Sequence, residues 1–411
     1  MTDCCAKPGL MTLDQALQTL FRGVTPVKET EMLPLALCDG RVLAQAVISP
    51  MNIPPHNNSA MDGYALRAAD LEVSDTLPLT GESFAGHPFE GVCPEGHCIR
   101  IMTGATIPTG TDAVIMQEQT ERTETGIHFL KKTDVGSNIR HAGEDIAEGC
   151  EVLTTGHRLR PQDLGLIASL GFTEVVVYRK VKVAVFSTGD ELKLPGETLG
   201  YGDIYDSNRI VITSMLYRLG VDVIDLGKLP DDRAAIHEAF LLANSEADAV
   251  MTSGGVSVGE ADYTKEVLDE LGETRFWKLA IKPGKPFAFG QLSDSVFFGL
   301  PGNPVSATIT LHALAVPALR IMSGEENTTP VMFNATTQTR LKKAPGRREF
   351  QRGILSTDDS GNPVVVTTGS QGSGILRSMN MANCYIILTE ESCGVEPNDS
   401  VLVLPFDNLL S

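Results

Sequence analysis

Three stretches of this 411-residue chain combine small residues with carboxylates where a strand would give way to a helix. They are Ser187-Thr188-Gly189-Asp190-Glu191, then Ser253-Gly254-Gly255 running on to Asp262, then Pro301-Gly302-Asn303-Pro304 followed by Ser306. Glycine lets a backbone approach a ligand closely, and the first turn of a helix offers free N–H groups at the positive end of its dipole. Such turns suit a phosphate or another oxyanion, although a plain tight turn with a helix cap uses the same residue types. Asp190, Glu191 and Asp262, with Asp231 after Pro230, supply the hard oxygen ligands that Mg²⁺ takes beside a phosphate ester; Asp262 and Asp231 also fit as N-caps. Lys278, Lys282 and Lys285 fall within eight positions with no acid among them. Lys282-Pro283-Gly284-Lys285-Pro286 reads as a rigid turn that holds ammonium groups toward an anion.

A second basic cluster, Arg340, Lys342, Lys343, Arg347, Arg348 and Arg352, has Glu349 as its only acid, and it reads equally as a charged edge strand. Asp62-Gly63 and Ile101-Met102-Thr103-Gly104-Ala105 are small-residue loops of the kind that carry function, although Asp-Gly alone signals only a hairpin. The eight cysteines include no Cys-x-x-Cys pair, and Cys93, His97 and Cys98 have the wrong spacing for a structural zinc site.

The elements that must position these residues follow from periodicity. Thr12 and Gln15 form a capping box ahead of Leu13, Ala16, Leu17, Leu20 and Phe21, predicting a helix that Gly23 closes. Short alternating runs between Gly, Pro and Thr-Gly turns predict a β-rich insert over 51–141. Pro161 opens a helix that ends at Gly171 and is expected to rejoin the first one. From 181 onward, strands at 181–186, 221–226, 249–252, 275–281 and 296–300 alternate with helices at 208–219, 232–244, 263–271 and 303–322. That pattern predicts a parallel, doubly wound α/β domain, whose ligands bind outside the carboxyl ends of the strands. The three small-residue loops should therefore open onto one crevice. Five short strands between 331 and 404 predict a small C-terminal barrel or sandwich.

The expected domains are a split linker (1–50 with 142–178), the β-rich insert (51–141), the α/β domain (179–326) and the C-terminal β domain (327–411). A net charge of −19 without a long basic run argues against nucleic acid as a partner. With no secretory signal and no run of about 18 apolar residues to span a membrane, a cytoplasmic protein is expected.

Six motifs stand in one order along the chain: 59–65, 101–105, 186–192, 253–264, 282–286 and 300–306. Together they resemble the molybdopterin molybdenumtransferases, the MoeA and gephyrin family, from about residue 10 to 405. The resemblance implies an elongated homodimer of four-domain subunits. It implies the last step of molybdenum cofactor synthesis, in which adenylylated molybdopterin and molybdate give the cofactor and AMP with help from Mg²⁺. By motif position, Glu191 and Asp262 would position the cation and phosphoanhydride, with Asp190 and Asp231 in support. Lys278, Lys282 and Lys285 would donate to molybdate or phosphate oxygens. Ser187, Thr188, Gly189, Ser253, Gly254, Gly255, Pro301, Gly302, Asn303, Pro304 and Ser306 would line the site, joined by Arg352 and Ser373 of the C-terminal domain. Asp62 and Thr103 would come from the partner subunit. The chain carries no fused adenylyltransferase domain, so a separate adenylyltransferase and downstream molybdoenzyme maturation proteins are implied partners. The alternatives are a molybdopterin adenylyltransferase or a non-catalytic carrier or scaffold.

Overall fold

The capping box forms as expected: Thr12 Oγ1 accepts the Gln15 N–H while Gln15 Oε1 accepts the Thr12 N–H, opening helix α1 (Leu13–Gly23). Gly23 does not close the helix by a left-handed turn. It is the last helical residue, and a Cβ there would press into the Phe289 ring, so its smallness serves packing. The computed structural model describes residues 10–254, 263–326 and 329–411. Gly255 and Asp262 therefore lie outside the described residues. The chain divides into two compact units, one containing the segment up to Ala44 with Gly156–Arg160 and Val175–Ser411, the other Gln45–Thr155 with Pro161–Glu174.

The second unit is β-rich. Its main sheet has β1 (Gly63–Leu66) flanked by β3 (Cys98–Ile101) and β4 (Ala113–Met116), with β2 (Leu79–Ser83) outside β3. Leu66, Cys98, Ile115 and Phe129 pack into its core. Helix α2 (Pro161–Ser169) belongs to this unit, whereas α1 packs in the core of the other.

The first unit holds the α/β sheet. In chain order its parts are β5 (Lys182–Thr188), α3 (Ser207–Leu219), β6 (Asp222–Leu229), α4 (Arg233–Glu246), β7 (Ala249–Ser253), α5 (Tyr263–Leu271) and β8 (Glu273–Lys278). A short strand β9 (Ile281–Lys282) follows, then β10 (Pro286–Gln291), β11 (Val296–Leu300) and a helix built from α6 (Pro304–Thr310), a π turn at Leu311–Ala315 and α7 (Val316–Met322). The sheet order is β6-β5-β7-β11-β10-β8. The first four strands are parallel, whereas β10 pairs antiparallel with both β11 and β8. Periodicity missed β10 because Pro-Phe-Ala-Phe-Gly follows directly on the Lys-Pro-Gly-Lys turn. With β10 in place, 273–291 becomes an antiparallel hairpin that extends the parallel sheet.

Strands β5 and β7 are buried on both faces, as parallel strands between helix layers must be. Val183, Val185, Ala249 and Met251 face the core that includes α1, α3, α6 and α7, while Ala184, Phe186 and Val250 face the core with residues of α4 and α5. The span Pro304–Met322 is long and apolar enough to cross a membrane by length and composition, but 72% of that window is buried inside the protein, which makes it a core helix. Its π turn lies just ahead of Pro317, whose ring would clash with the carbonyl four residues back in a regular helix.

The C-terminal strands are β12 (Phe333–Thr337), β13 (Arg348–Thr357), β14 (Pro363–Thr367), β15 (Cys384–Leu388) and β16 (Ser400–Pro405). Their order, β13-β14-β12-β16-β15, returns to its start because β13 also pairs with β15, so the sheet closes into a barrel. Cys384, Ile386 and Leu388 point into the barrel, while Tyr385 and Ile387 on the opposite face join the α/β core. Strand β9 pairs with β13, placing Lys282 opposite Glu349.

Candidate active site

Strands β5, β7 and β11 are parallel neighbours with Ser187, Ser253 and Leu300 in register, so the loops that follow leave side by side from one carboxyl edge. Strand β6 adds its own end next to β5, where Thr188 is opposite Leu229. That brings Asp231 to Asp190: the Asp231 N–H donates to Asp190 Oδ1 at 3.3 Å. Asp190, Glu191 and Asp231 are exposed, whereas Ser187, Thr188, Ser253 and Ser306 are buried.

Two glycines here have a structural reason to be glycine. Gly189 has φ +140°, and a Cβ would sit 2.6 Å from Glu191 Oε2, so the Glu191 carboxylate folds back over this turn. Gly254 has φ +92°, its N–H donates to the Leu300 carbonyl at 3.2 Å, and a Cβ would meet the Thr188 carbonyl at 3.1 Å. A side chain at either position would be strained and would fill the edge.

The α6 turn is partly occupied by the protein itself. Pro304 stands at the start of the helix, Asn303 makes no side-chain cap bond, and the Val305 N–H donates to the Ser373 carbonyl at 3.1 Å. Ser373 is thereby brought to the 301–306 turn from the connection between β14 and β15. Arg352 is not open to a ligand. It is the largest fully buried side chain, and its Nε donates to Ser378 Oγ at 3.0 Å, its Nη2 to the Gly372 carbonyl at 3.1 Å and its Nη1 to the Phe350 carbonyl at 3.4 Å. Burial pushes its pKa down to about 10, which the charges of Tyr385 and Glu349 only partly offset. Arg352 is therefore a strut under the 371–378 segment, which corrects its assignment as a ligand-facing residue.

The three lysines differ. Lys278 and Lys285 are exposed and form no ion pair among the described residues. Lys282 pairs with Glu349 Oε1 at 3.0 Å, and Glu349 is almost fully buried, its second oxygen accepting from Gln351 Nε2 at 3.0 Å. Lys282 thus has a resident counter-ion, so it is not held free for an incoming anion as the Lys-Pro-Gly-Lys-Pro turn suggested. The sequence noted Glu349 only as the lone acid of a basic cluster.

In the second unit, Thr103 donates from its N–H at 2.7 Å and its hydroxyl at 2.8 Å to the same oxygen of Asp62. Antiparallel pairing of β1 with β3, Gly63 opposite Ile101, sets these two residues side by side. The Thr103 N–H, then its hydroxyl, hold the Asp62 carboxyl below the usual range, so Asp62 is ionised at neutral pH. Burial pushes the Cys98 thiol up to about 12 and raises that of Cys93, which leaves both neutral.

Among the described residues no three His, Cys, Asp or Glu side chains gather in a group able to hold a metal ion. Sequence reasoning passed over Asp206 and Asn208, which read as an ordinary helix start. Asp206, 1% exposed, accepts from Ser187 Oγ at 2.5 Å and from Arg209 Nε at 3.1 Å. Asn208 Nδ2 donates to Ser253 Oγ at 2.8 Å and to the Gly302 carbonyl at 2.7 Å. The available signal was the alternation along β5 and β7, which aims Ser187 and Ser253 at the helix layer containing α3.

A doubly wound sheet with glycine turns and carboxylates at one carboxyl edge, next to a closed β-barrel, defines a multidomain ligand-binding α/β protein. Known proteins place that class. The profile of a probable molybdopterin binding domain matches residues 184–321, that of the MoeA N-terminal region (domain I and II) residues 11–171, and that of the MoeA C-terminal region (domain IV) residues 334–406. The chain is 48% identical over 403 residues to a molybdopterin molybdenumtransferase of Haemophilus influenzae, spanning 98% of this chain and 100% of that one. It is 33% identical to molybdopterin molybdenumtransferase 2 of Mycobacterium tuberculosis, over 87% of this chain and 91% of the relative. A crystal structure of the molybdopterin biosynthesis moeA protein of Pyrococcus horikoshii OT3 superposes with a TM-score of 0.85 at 31% identity, covering 97% of this chain and all of that one. The chain belongs to the molybdopterin molybdenumtransferase family, with the MoeA multidomain fold.

Proposed function

We propose that this protein performs the molybdenum insertion step of molybdenum cofactor biosynthesis, converting adenylylated molybdopterin and molybdate to the cofactor with release of AMP. The observation that carries the reading is 48% identity to a molybdopterin molybdenumtransferase across the whole length of both chains. Within it, the turns at 187–189, 253–255 and 301–306 hold the pterin and phosphate groups, with Ser373 beside the last. Lys278, Lys285 and Lys282 neutralise oxyanion charge, Lys282 exchanging its bond to Glu349 for one to the ligand. Preorganised charge of this kind supplies most of the rate in phosphoryl chemistry.

Asp190, Glu191 and Asp262 would hold Mg²⁺, whose exposed oxygen donors at the first two positions suit a hard cation; the ion would neutralise the phosphoanhydride. Asp231 supports Asp190 through its N–H. Asp62 and Thr103 serve the crevice of the opposite subunit in a cytoplasmic homodimer, each subunit keeping the four-domain division set out above. A separate molybdopterin adenylyltransferase supplies the substrate, and maturation proteins take the product.

The test is AMP release from adenylylated molybdopterin by the pure protein, with and without molybdate and Mg²⁺. Release that depends on molybdate, with transferable cofactor formed, is expected. Tight binding with no release would instead make the protein a carrier, and ATP-dependent adenylation without molybdate would make it the preceding enzyme.

A further inference from the structure

The start of α3 holds three turns at once. Its N-cap, Asp206, takes the Ser187 hydroxyl at the end of β5 and is itself fixed by Arg209, which also pairs with Asp225. Two residues on, Asn208 uses one nitrogen for two bonds, to Ser253 Oγ at the end of β7 and to the Gly302 carbonyl after β11. The backbone ladder between those two strands ends one bond further out, at Gly254 N–H to the Leu300 carbonyl, so the amide spans the turns just where the sheet stops tying them. A primary amide nitrogen has two protons, and here each has its own acceptor on a different loop. Serine would offer one proton, aspartate none, and glutamine would move the nitrogen by a methylene. Asparagine is a weak helix former, so propensity does not explain it in the first turn.

We infer that Asn208 is a positioning residue for the transfer reaction: it sets the spacing between the Ser253 turn and the 301–304 turn without touching the reacting groups. The inference rests on the proposed reading of the crevice as the transferase site. Loops misplaced by about 1 Å can lower a rate by about a hundredfold, with much smaller effects on folding.

The experiment compares full-length wild-type protein with Asn208→Ser and Asn208→Asp in two arms. Amide hydrogen exchange tests the clasp: faster exchange by about tenfold at Gly254 and 302–306, with α4 and the barrel unchanged, is expected. Unchanged exchange at both turns overturns it. Steady-state AMP release tests the consequence: kcat falling by about 10- to 100-fold, with KM for adenylylated molybdopterin within about threefold of wild type, is expected for positioning. Asn208→Gln should not rescue the rate. Wild-type kinetics in Asn208→Ser, or a rate that falls only in step with a lowered melting temperature, overturns the positioning role. Wild-type protein that releases no AMP would overturn the functional reading and the role in transfer with it, while the exchange arm still decides the clasp.

Discussion

Replacing Arg352 separates a strut from a ligand contact. The guanidinium is fully buried, with bonds of 3.0 and 3.1 Å to Ser378 and the Gly372 carbonyl. Hydrogen bonds from a charged donor contribute about 1.5–3 kcal/mol each, and Arg352→Ala would lose both, although the Gly372 carbonyl keeps the Ile375 N–H and the Ser378 hydroxyl keeps the Ile375 carbonyl. Release of a charge that folding had to bury offsets part of the loss, and the void adds to it, so the net destabilisation is about 3 kcal/mol. The first unit, which includes all of Val175–Ser411, unfolds with a correspondingly large entropy, so its melting temperature falls by about 5 °C. Arg352→Met keeps the volume without the charge and should lose less than Arg352→Ala. Arg352→Lys should not restore wild-type stability, because an ammonium cannot serve both acceptors as a planar fork does. Differential scanning calorimetry gives the melting shift, and AMP release measured well below melting gives the activity. An Arg352→Ala protein that melts within about 1 °C of wild type yet has lost molybdate-dependent release would refute the strut argument, since a residue of that worth to the fold cannot leave stability untouched.

Glu191→Gln removes charge from an exposed side chain, so melting should stay at the wild-type value while kcat for AMP release falls by at least about tenfold; equal turnover at equal melting would remove Glu191 from the mechanism. Gly63→Ala drives a Cβ into the Ile115 carbonyl of the neighbouring strand, and overpacking of this kind should cost about 1–3 kcal/mol, read in calorimetry as a lower transition for the second unit. Burial pushes the Asp407 carboxyl up, but the His312 bond and charge, the Leu409 N–H and Arg320 outweigh it and hold it below its usual value. Its folded pKa is depressed, so the stabilisation is present above the unfolded value of 3.8 and is lost as pH falls through the folded one. Urea midpoints for Asp407→Asn should therefore show a shallower acid limb than wild type; identical limbs would mean the His312 and Arg320 pairings contribute nothing.

Much of the architecture was legible because its signals are local. The Thr12 to Gln15 capping box, Pro161 at a helix start and the alternation of apolar runs with amphipathic ones each involve neighbours in sequence, and each forms where expected. Strand β10 was not legible: it follows directly on the Lys-Pro-Gly-Lys turn and itself opens on a proline, and it is a strand only because β8 and β11 flank it. Closure of the barrel likewise rests on β13 pairing with β15, a contact between segments about 35 residues apart that no periodicity announces.

The candidate site divides the same way. Residue type alone marked the glycine turns, the carboxylates beside them and the lysine run, because anion and cation chemistry demand those groups wherever the chain folds. Which of them are free to act was decided by tertiary structure. Register put Ser187 and Ser253 in line with α3 and so made Asp206 and Asn208 their partners. The β9 to β13 pairing gave Lys282 a buried carboxylate, and the 371–378 segment, lying over the outer face of β13, took Arg352 out of solvent. A sequence thus states what a side chain can donate or accept, while burial and hydrogen bonding, set by groups distant along the chain, decide whether that capacity is already spent.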